Sequence, residues 1–227
     1  MGRVWVWREE EAGVLLKEVR TLVDAGDIVA LPTETFYALA VNAFQEKALA
    51  RLFALKERPP EKPVLVLIAG PEILLRVARE VPESARRLMA RFWPGPLTLI
   101  LPARAELPRL ITGDTDTVGV RQPRQAVTCR LLAGLGLPVT GTSANRAGRL
   151  PLTRAAAVQE EFGEAVSLIV DAGPCPGGPP STIVDLAGSP PRLVRPGAIE
   201  TASLLEYIPD LQVEVTSYGE RTGSHRP

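Results

Sequence analysis

Residues 45–69 read QEKALARLFALKERPPEKPVLVLIA, which joins a helical pattern to a strand pattern across a proline-rich break. The apolar residues of the first part recur at helical spacing and predict a helix over residues 45–55. Pro59 ends that helix, because a proline disfavours helical geometry at the residue before it. The continuous apolar run over residues 64–69 predicts a strand. A helix that leads directly into an apolar strand is typical of an α/β protein.

The same alternation continues along most of the chain without an internal linker or repeat. Helices are predicted over residues 9–25, 71–79, 82–92, 126–133 and 153–162, the last with Thr153 as its N-cap. Strands are predicted over residues 28–32, 36–41, 97–101, 117–121, 137–140, 167–170, 181–186 and 192–194. We therefore expect one α/β domain over residues 1–207, with a mixed, twisted open sheet flanked by helices. Residues 208–227 are expected to form a polar C-terminal tail.

The composition excludes several classes of protein. The 26 Lys and Arg residues balance the 26 Asp and Glu residues, which argues against a protein held on nucleic acid mainly by bulk charge but leaves a local basic groove open. Cys129 and Cys175 are far apart and form no C-x-x-C pair, which argues against a disulfide framework or a zinc site. The N-terminus becomes charged too early for a signal peptide, and no apolar run is long enough to cross a membrane. We expect a cytoplasmic protein.

The single histidine, His225, lies close to the end of the chain. Its position excludes a Ser-His-Asp hydrolase and a histidine-ligated metal site, since both need histidine within the folded core. A histidine general base in the core is excluded for the same reason.

The charged residues of the 56–63 segment suggest a site for an anion. The chain holds four lysines against 22 arginines, and two of the four, Lys56 and Lys62, lie in this segment. Compact, rotatable ammonium groups suit a phosphate. The alternative is a solvated loop stiffened by its prolines, and the segment alone favours that alternative.

Polar residues stand where several predicted strands end, which is where open α/β sheets hold their ligands. Each has a structural explanation by itself, since Thr33 or Ser143 could satisfy turn backbone. Together they supply cations, hydroxyls and an amide but no evident base. Such a set suits a concave basic site for phosphoryl or nucleotidyl transfer. Its members are Thr33, Thr35, Arg121, Ser143, Asn145, Ser181, Thr182 and Arg195.

Five motifs follow one another along the chain. They are Pro32-Thr33-Glu34-Thr35-Phe36-Tyr37, Lys56-Glu57-Arg58-Pro59, Thr117-Val118-Gly119-Val120-Arg121, Ser143-Ala144-Asn145 and Ser181-Thr182-Ile183. In this order they resemble the YrdC-like family of threonylcarbamoyl-adenylate synthases, and the resemblance covers residues 12–196. The chain is similar to the short form of the family, which lacks the second C-terminal domain of the longer members.

The resemblance implies a nucleotidyltransferase that acts on L-threonine, bicarbonate and ATP, with Mg²⁺ assisting. A carbamate of threonine would attack the α-phosphate of ATP and give L-threonylcarbamoyladenylate and pyrophosphate. A partner transferase would then pass the threonylcarbamoyl group to the adenosine next to the anticodon of tRNA. Direct contact with tRNA is left open, and no membrane is implied.

The resemblance also implies a role for each matched residue. The catalytic group that holds the ATP phosphates would be Lys56, Arg58, Ser143 and Asn145. Further nucleotide contacts would come from Pro60, Thr117, Pro151 and Arg195. L-Threonine would be bound by Thr33, Arg121, Gly141 and Ser181, with Arg121 in a bidentate pair with its carboxylate. No residue is assigned as a metal ligand.

Three positions depart from the family pattern. Ala38 replaces a frequent glycine, Leu67 stands where many longer members have a histidine, and Leu150-Pro151 replaces a proline-serine pair. Residues 217–227 resemble the linker that covers the active site in longer members, and they would act either as a lid or as a disordered end.

Two other functions stay open. A non-catalytic RNA-binding module of the same family would bind tRNA in a salt-dependent way without turning over ATP. A YrdC-like paralogue would use another carbamoyl acceptor. Under the main hypothesis, Lys56→Ala or Arg58→Ala lowers activity far more than stability, because exposed loop charges contribute little to folding.

Overall fold

A computed structural model describes residues 2–213 of the chain, and it confirms the α/β class. The strands β1 to β11 span Arg3–Val6, Val29–Leu31, Ala38–Ala40, Val66–Leu67, Leu97–Pro102, Thr117–Arg121, Val139–Thr140, Thr142–Ser143, Leu168–Asp171, Thr182–Asp185 and Arg192–Arg195. The helices α1 to α8 span Ala12–Asp24, Glu46–Lys56, Pro71–Leu74, Glu83–Phe92, Arg109–Thr112, Ala126–Leu135, Ala155–Phe162 and Thr201–Leu205. Short 3₁₀ turns precede α1 and follow α7.

The strands divide into two sheets, where the sequence predicted one. The five-stranded sheet has the order β1-β9-β2-β3-β8, and the six-stranded sheet has the order β11-β10-β5-β6-β4-β7. Both sheets are mixed, as predicted. In the first, β1 runs parallel to β9 while β2 and β3 are antiparallel. In the second, β10 runs parallel to β5 while β5 and β6 are antiparallel.

The chain passes from one sheet to the other at Gly141. Just before it, β7 pairs with β4 in the six-stranded sheet, and just after it, β8 pairs with β3 in the five-stranded sheet. The side chain of Thr140 joins the two, because its Oγ1 donates to the Leu39 carbonyl at 3.0 Å and accepts from the Val41 amide at 3.1 Å. A Cβ atom added at Gly141 would lie 2.5 Å from Cγ of Leu67. Gly141 therefore allows the chain to pass close to Leu67 of β4 as it leaves the six-stranded sheet.

The apolar residues of β2 and its approach alternate between two parts of the core. Ile28 and Ala30 face the larger cluster, whereas Val29 and Leu31 face a smaller cluster formed with α1 and α6. This alternation is the period-two pattern of a strand that is buried on both faces. The continuous apolar run in the sequence thus has a direct structural explanation.

Several predicted elements differ from the structure. The short elements β1, α5 and α8 were not predicted, because four or five residues give too few positions for a periodic pattern. The helix predicted over residues 71–79 ends at Leu74, and Ala78 forms a bridge with Ala103 instead. Thr153 is not the N-cap of α7, which is Arg154.

The packed part of the chain continues beyond residue 207. Ile208 and Leu211 are buried in the larger core, and the amide of Gln212 donates to the Pro191 carbonyl at 2.8 Å. The segment predicted as a tail therefore begins among packed residues. The proposed lid and His225 lie outside the described residues. None of the helices within residues 2–213 combines the length and the apolar character needed to span a membrane.

Candidate functional site

A cavity of about 220 Å³ lies where the two sheets meet, and both sheets contribute to its walls. Eight of the twelve predicted site residues line it: Thr33, Arg58, Arg121, Gly141, Ser143, Pro151, Ser181 and Arg195. The other residues of the lining are Thr35, Phe36, Tyr37, Ala38, Leu65, Leu67, Thr142 and Pro180. The predicted site residues Lys56, Pro60, Thr117 and Asn145 are not part of this lining.

The K-x-R motif forms the C-terminal cap of α2. Glu57 adopts the left-handed conformation, with φ 54° and ψ 39°, and ends the helix after Lys56. The amide of Arg58 donates to the Phe53 carbonyl at 3.0 Å, and the amide of Glu57 donates to the Ala54 carbonyl at 3.2 Å. These are the reversed bonds of a Schellman cap, usually made with glycine at the left-handed position. The cap therefore lies between the two cations of the motif, so the side chains of Lys56 and Arg58 leave the backbone in different directions.

Lys56 is buried, with 4% of its surface exposed. Its Nζ donates to the Ser143 carbonyl and, at 2.6 Å, to the Asn145 carbonyl. Burial, and to a smaller extent the charge of Arg58, lowers the pKa of the Lys56 ammonium to about 8. The expectation that Lys56 is an exposed loop charge is therefore wrong.

Further hydrogen bonds connect the same two segments. The amide of Ala147 donates to the Lys56 carbonyl at 3.1 Å, and Nη1 of Arg146 donates to Oε1 of Glu57 at 2.9 Å. The K-x-R and S-x-N motifs, 87 residues apart from Lys56 to Ser143, thus form one hydrogen-bonded unit.

Arg58 lines the cavity and is held by the proline-rich segment that follows it. Its Nε donates to the Lys62 carbonyl at 3.2 Å, and its Nη2 donates to the Pro63 carbonyl at 2.6 Å. Its Cζ lies 5.9 Å from the centroid of the Phe53 ring. Partial burial lowers the pKa of Arg58 below its ordinary value, but a guanidinium stays charged at neutral pH. The segment therefore presents a fixed cation to the cavity.

Arg121 forms a buried ion pair with Glu34. The distance from Nη2 of Arg121 to Oε1 of Glu34 is 2.5 Å, and the two side chains are 5% and 10% exposed. The Nε of Arg121 donates to the Gly95 carbonyl at 3.2 Å, and the second oxygen of Glu34 accepts from the Arg124 amide at 3.0 Å. One end of the predicted carboxylate-binding fork is thus already occupied by a carboxylate of the protein.

Ser181 connects Arg195 to a buried threonine. Nη2 of Arg195 donates to the Ser181 carbonyl at 2.7 Å and to its Oγ at 3.1 Å. Oγ of Ser181 also lies 3.0 Å from Oγ1 of Thr98. Partial burial of the guanidinium, followed by the charge of Arg121, lowers the pKa of Arg195. The influence of Arg121 on Arg195 indicates that these two cations share one part of the cavity.

Thr33 closes the turn between β2 and β3. Its Oγ1 accepts from the amides of Thr35 at 3.1 Å and Phe36 at 3.2 Å, and donates to the Phe36 carbonyl at 2.7 Å. The turn-forming explanation considered for Thr33 is therefore correct, although the residue also lines the cavity.

The side chains of the S-x-N motif contact each other. Oγ of Ser143 donates to Oδ1 of Asn145 at 2.5 Å. Nδ2 of Asn145 donates to the carbonyls of Arg146 at 3.0 Å and Arg149 at 2.7 Å. Asn145 thus closes the loop behind Ser143, and Ser143 is the member of the motif that reaches the cavity.

Thr117 lies in a smaller cleft of about 110 Å³ next to the main cavity. Leu65 lines both spaces, and Thr98 joins the cleft to Ser181 through its hydroxyl. Most of the cleft surface comes from apolar groups, and its lining comprises Pro63, Val64, Leu65, Thr98, Ile100, Thr117, Gly119 and Ile183. The charged cavity therefore has an apolar annex.

The side chains that line the cavity are positive in balance, although Glu34, outside the lining, offsets the charge of Arg121. The described residues that line it include three guanidinium groups and no carboxylate. Burial and the nearby charge of Asp171 raise the pKa of Tyr37 above its ordinary value, so this phenol stays neutral. The site can bind and orient anions but offers no evident proton acceptor of its own.

Glu34 and Thr98 contact the predicted site residues Arg121 and Ser181, and the sequence did not single them out. Glu34 lies within a motif already identified, but between two threonines of a predicted turn it resembles a solvated residue. Thr98 lies inside an apolar strand, where its hydroxyl is the one local signal, because a buried hydroxyl needs a hydrogen-bond partner.

The Sua5/YciO/YrdC family, described as "Telomere recombination", matches residues 21–197 of this chain. The chain is similar to the threonylcarbamoyl-AMP synthase of Pyrococcus abyssi, with 38% identity over 218 residues. These residues cover 96% of this chain and 62% of the relative. The threonylcarbamoyl-AMP synthase of Bacillus subtilis is 35% identical over 200 residues, which cover 88% of this chain and 58% of the relative.

A solved structure of Pyrococcus abyssi Sua5 in complex with L-threonine has a similar fold. The TM-score is 0.89 at 37% sequence identity, and the match covers 97% of this chain and 64% of that chain. The chain thus spans less than two thirds of the length of these relatives.

Proposed function

Because this chain belongs to the YrdC/Sua5 family, we propose that it is a threonylcarbamoyl-AMP synthase. Its substrates would be L-threonine, bicarbonate and MgATP, and its products L-threonylcarbamoyladenylate and pyrophosphate. The proposal is supported by curated synthases at 35–38% identity and by the threonine complex of a related protein.

One observation carries the proposal: Arg58, Arg121 and Arg195 line the same cavity, and no carboxylate lines it with them. The reaction brings a carbamate and a triphosphate together, and both are anions. Their repulsion must be offset before the carbamate oxygen can reach the α-phosphate. Three fixed guanidinium groups are suited to that task, since they are oriented before the substrates bind.

L-Threonine would bind at the end of the cavity where Arg121 lies. Glu34 occupies Nη2 of Arg121, so the bidentate pair expected from the resemblance needs revision. We propose that the carboxylate of threonine instead contacts Nη1, which carries two further N–H donors. The hydroxyl groups of Thr35 and Ser181 line the same space and would recognise the threonine hydroxyl.

ATP would bind across the cavity and its annex. Arg58 and Ser143 would contact the phosphates, with Arg195 beside them. The apolar cleft around Thr117 is the proposed place for the adenine ring, since nucleotide bases are flat and largely apolar on their faces.

The negative charge of the nucleophile would come from the carbamate, so the protein needs no histidine. Binding both substrates in one cavity makes the attack effectively intramolecular. The guanidinium groups would also stabilise the charge that develops on the departing pyrophosphate.

Mg²⁺ would enter with the nucleotide. Within residues 2–213, no group of three or more His, Cys, Asp or Glu side chains is placed to hold a metal ion. Mg²⁺ in nucleotide sites is commonly held by substrate phosphates and waters, with few protein ligands. We therefore treat MgATP as the substrate.

The product would pass to a second enzyme that transfers the threonylcarbamoyl group to tRNA. The product is a mixed anhydride of a carbamate and a phosphate, and water hydrolyses such compounds. We therefore expect a partner enzyme to use it soon after its release. We propose that the acceptor is the adenosine next to the anticodon of tRNA, as the family resemblance implies.

Purified protein with MgATP, bicarbonate and L-threonine tests the proposal by measurement of pyrophosphate. We expect release that requires both threonine and bicarbonate. Arg58→Ala should lower the rate by about a hundredfold or more, since it removes a cation from the phosphate site. Arg104→Ala, which changes an exposed arginine outside the cavity, is the matched control and should retain the rate. Pyrophosphate release that does not depend on threonine contradicts the substrate assignment.

A further inference from the structure

Lys56 lies behind the wall of the cavity. It is buried, it is not part of the lining, and its Nζ donates to the carbonyls of Ser143 and Asn145. Ser143 is itself a lining residue. The ammonium therefore contacts the far side of the turn whose near side faces the substrates.

We infer that Lys56 is a positioning residue, which holds the turn from Ser143 to Asn145 in place and leaves the phosphate contacts to Arg58 and Ser143. The inference rests on the proposed function as far as the phosphates are concerned. It assigns different tasks to the two cations of the K-x-R motif.

The geometry of the two carbonyls supports this role. Residues 143 and 145 direct their oxygens to one point, which requires a donor with at least two protons. An ammonium has three protons, so it can serve both oxygens. Without it, the part-buried Asn145 carbonyl loses its donor and the Ser143 carbonyl keeps only the Asn145 amide, at 3.0 Å, and an unmade hydrogen bond of this kind is costly. Without Lys56 the two peptide groups would be expected to rotate towards other donors. Such a rotation displaces Oγ of Ser143 from the cavity.

The hydrogen bonds from Lys56 to the two carbonyls do not depend on the charge of Lys56 alone. The charged side chains on the segments that pack around Lys56 are Glu57 and Arg58 from the end of α2 and Arg146 and Arg149 from the loop. Glu57 pairs with Arg146. The pKa of Lys56 is about 8, and above that pH the neutral amine still has two protons for two carbonyls. A direct contact with phosphate, in contrast, would weaken when the charge is lost.

Hydrogen exchange of the ligand-free protein tests the structural half of the inference. In Lys56→Met the amides of Ala144 and Ala147 should exchange about tenfold or more faster than in the wild type, because the turn opens locally. The matched control is Lys47→Met, an exposed lysine at the other end of α2, and it should leave these amides unchanged. Unchanged exchange in Lys56→Met would overturn the inference.

Binding of a non-hydrolysable MgATP analogue tests the other half through a double-mutant cycle. Lys56→Met and Ser143→Ala should each weaken binding, the first by up to about a hundredfold through displacement of the turn. If Lys56 acts through the turn, the double variant binds the analogue no more weakly than the single variant that has the lower affinity. Penalties that add fully would show an independent contact between Lys56 and the nucleotide, and would reject the positioning role.

The pH dependence of wild-type binding gives a readout that is separate from folding of the variants. Affinity for the analogue should change by less than about threefold between about pH 7.5 and about pH 9, whereas a phosphate-binding ammonium would lose about tenfold per pH unit above its pKa.

A structure of the wild type with the analogue would replace the cycle if Lys56→Met does not fold. There Nζ should remain within about 3.2 Å of both carbonyl oxygens. Movement of Nζ to a phosphate oxygen would contradict the inference.

These outcomes separate the inference from the proposed function. Amide hydrogen exchange in the ligand-free protein involves no substrate. It therefore tests the positioning role of Lys56 even if threonine proves not to be a substrate. Absence of threonine-dependent pyrophosphate release would reject the function alone.

Discussion

Arg121 and Glu34 form the residue pair on which one end of the cavity depends. A guanidinium that is 5% exposed loses much of its hydration, and a carboxylate at 2.5 Å compensates for that loss. Glu34 is held in turn by the Arg124 amide, so the orientation of Arg121 is set before any ligand binds. The sequence predicted Arg121 as a site residue. It could not predict Glu34 as its partner, because the pairing arises from contacts between distant segments.

Glu34→Ala should lower the free energy of unfolding by about 3 kcal/mol, because Arg121 is then buried without a counter-charge. Urea unfolding followed by circular dichroism measures the change. Glu106→Ala is the control, since Glu106 pairs with Arg104 at the exposed surface, where ion pairs contribute little to stability. Similar losses of unfolding free energy in the two variants would show that the buried pair contributes no more to stability than the exposed pair.

At the scale of elements, the sequence predicted local structure well and the pairing of elements poorly. The helix predicted over residues 45–55 spans Glu46–Lys56, and the strand predicted over residues 117–121 spans Thr117–Arg121. Apolar runs reveal that a strand is buried, but they do not reveal its neighbours. The division into two sheets was therefore missed. The burial of Lys56 was missed for the same reason, since its hydrogen-bond partners lie in another element.

The buried lysine at the end of α2 should make stability depend on pH. The pKa of Lys56 is about 8 in the folded protein, whereas an unperturbed lysine, as in the unfolded chain, has a pKa of 10.5. Between these two pH values the unfolded chain therefore binds more protons than the folded protein. Stability then rises with pH across this window, because burial of the charged form is unfavourable.

Urea unfolding of the wild type and Lys56→Met between pH 8 and 10.5 checks this expectation. The difference in unfolding free energy should change in favour of the wild type as the pH rises, while other titrating groups cancel in the comparison. A difference that is constant with pH would mean that Lys56 retains an ordinary pKa in the folded state.

At the scale of the whole molecule, the cavity lies where the two sheets meet, beside the direct passage of the chain from β7 to β8 at Gly141. Eight of the twelve predicted site residues reach this cavity, although they come from segments between Thr33 and Arg195. The motif order along the sequence was enough to group them. The annex around Thr117 and the position of Lys56 behind the wall depend on how the sheets pack, which no local pattern contains.

Gly141→Ala tests the packing of the sheets at their crossing. The added methyl group would lie 2.5 Å from Cγ of Leu67, so one of the two must move. We expect a loss of about 1–3 kcal/mol in the free energy of unfolding, measured by urea denaturation. Gly13→Ala is the control, because no atom lies within 4 Å of its added Cβ and it occupies a helix. That change should stabilise the protein by about 0.5–1 kcal/mol. Equal effects of the two substitutions would show that the crossing tolerates a side chain.

The pairing of β1 with β9 has a consequence for synthesis of the protein. Arg3 pairs with Leu168, so the five-stranded sheet cannot be completed until residues 168–171 have left the ribosome. The six-stranded sheet waits still longer, since its edge strand ends at Arg195. Contacts between such distant segments slow folding and leave apolar strands uncovered in the meantime. The nascent chain therefore gains its cavity only after Arg195 has left the ribosome, and its early apolar strands stay uncovered until then.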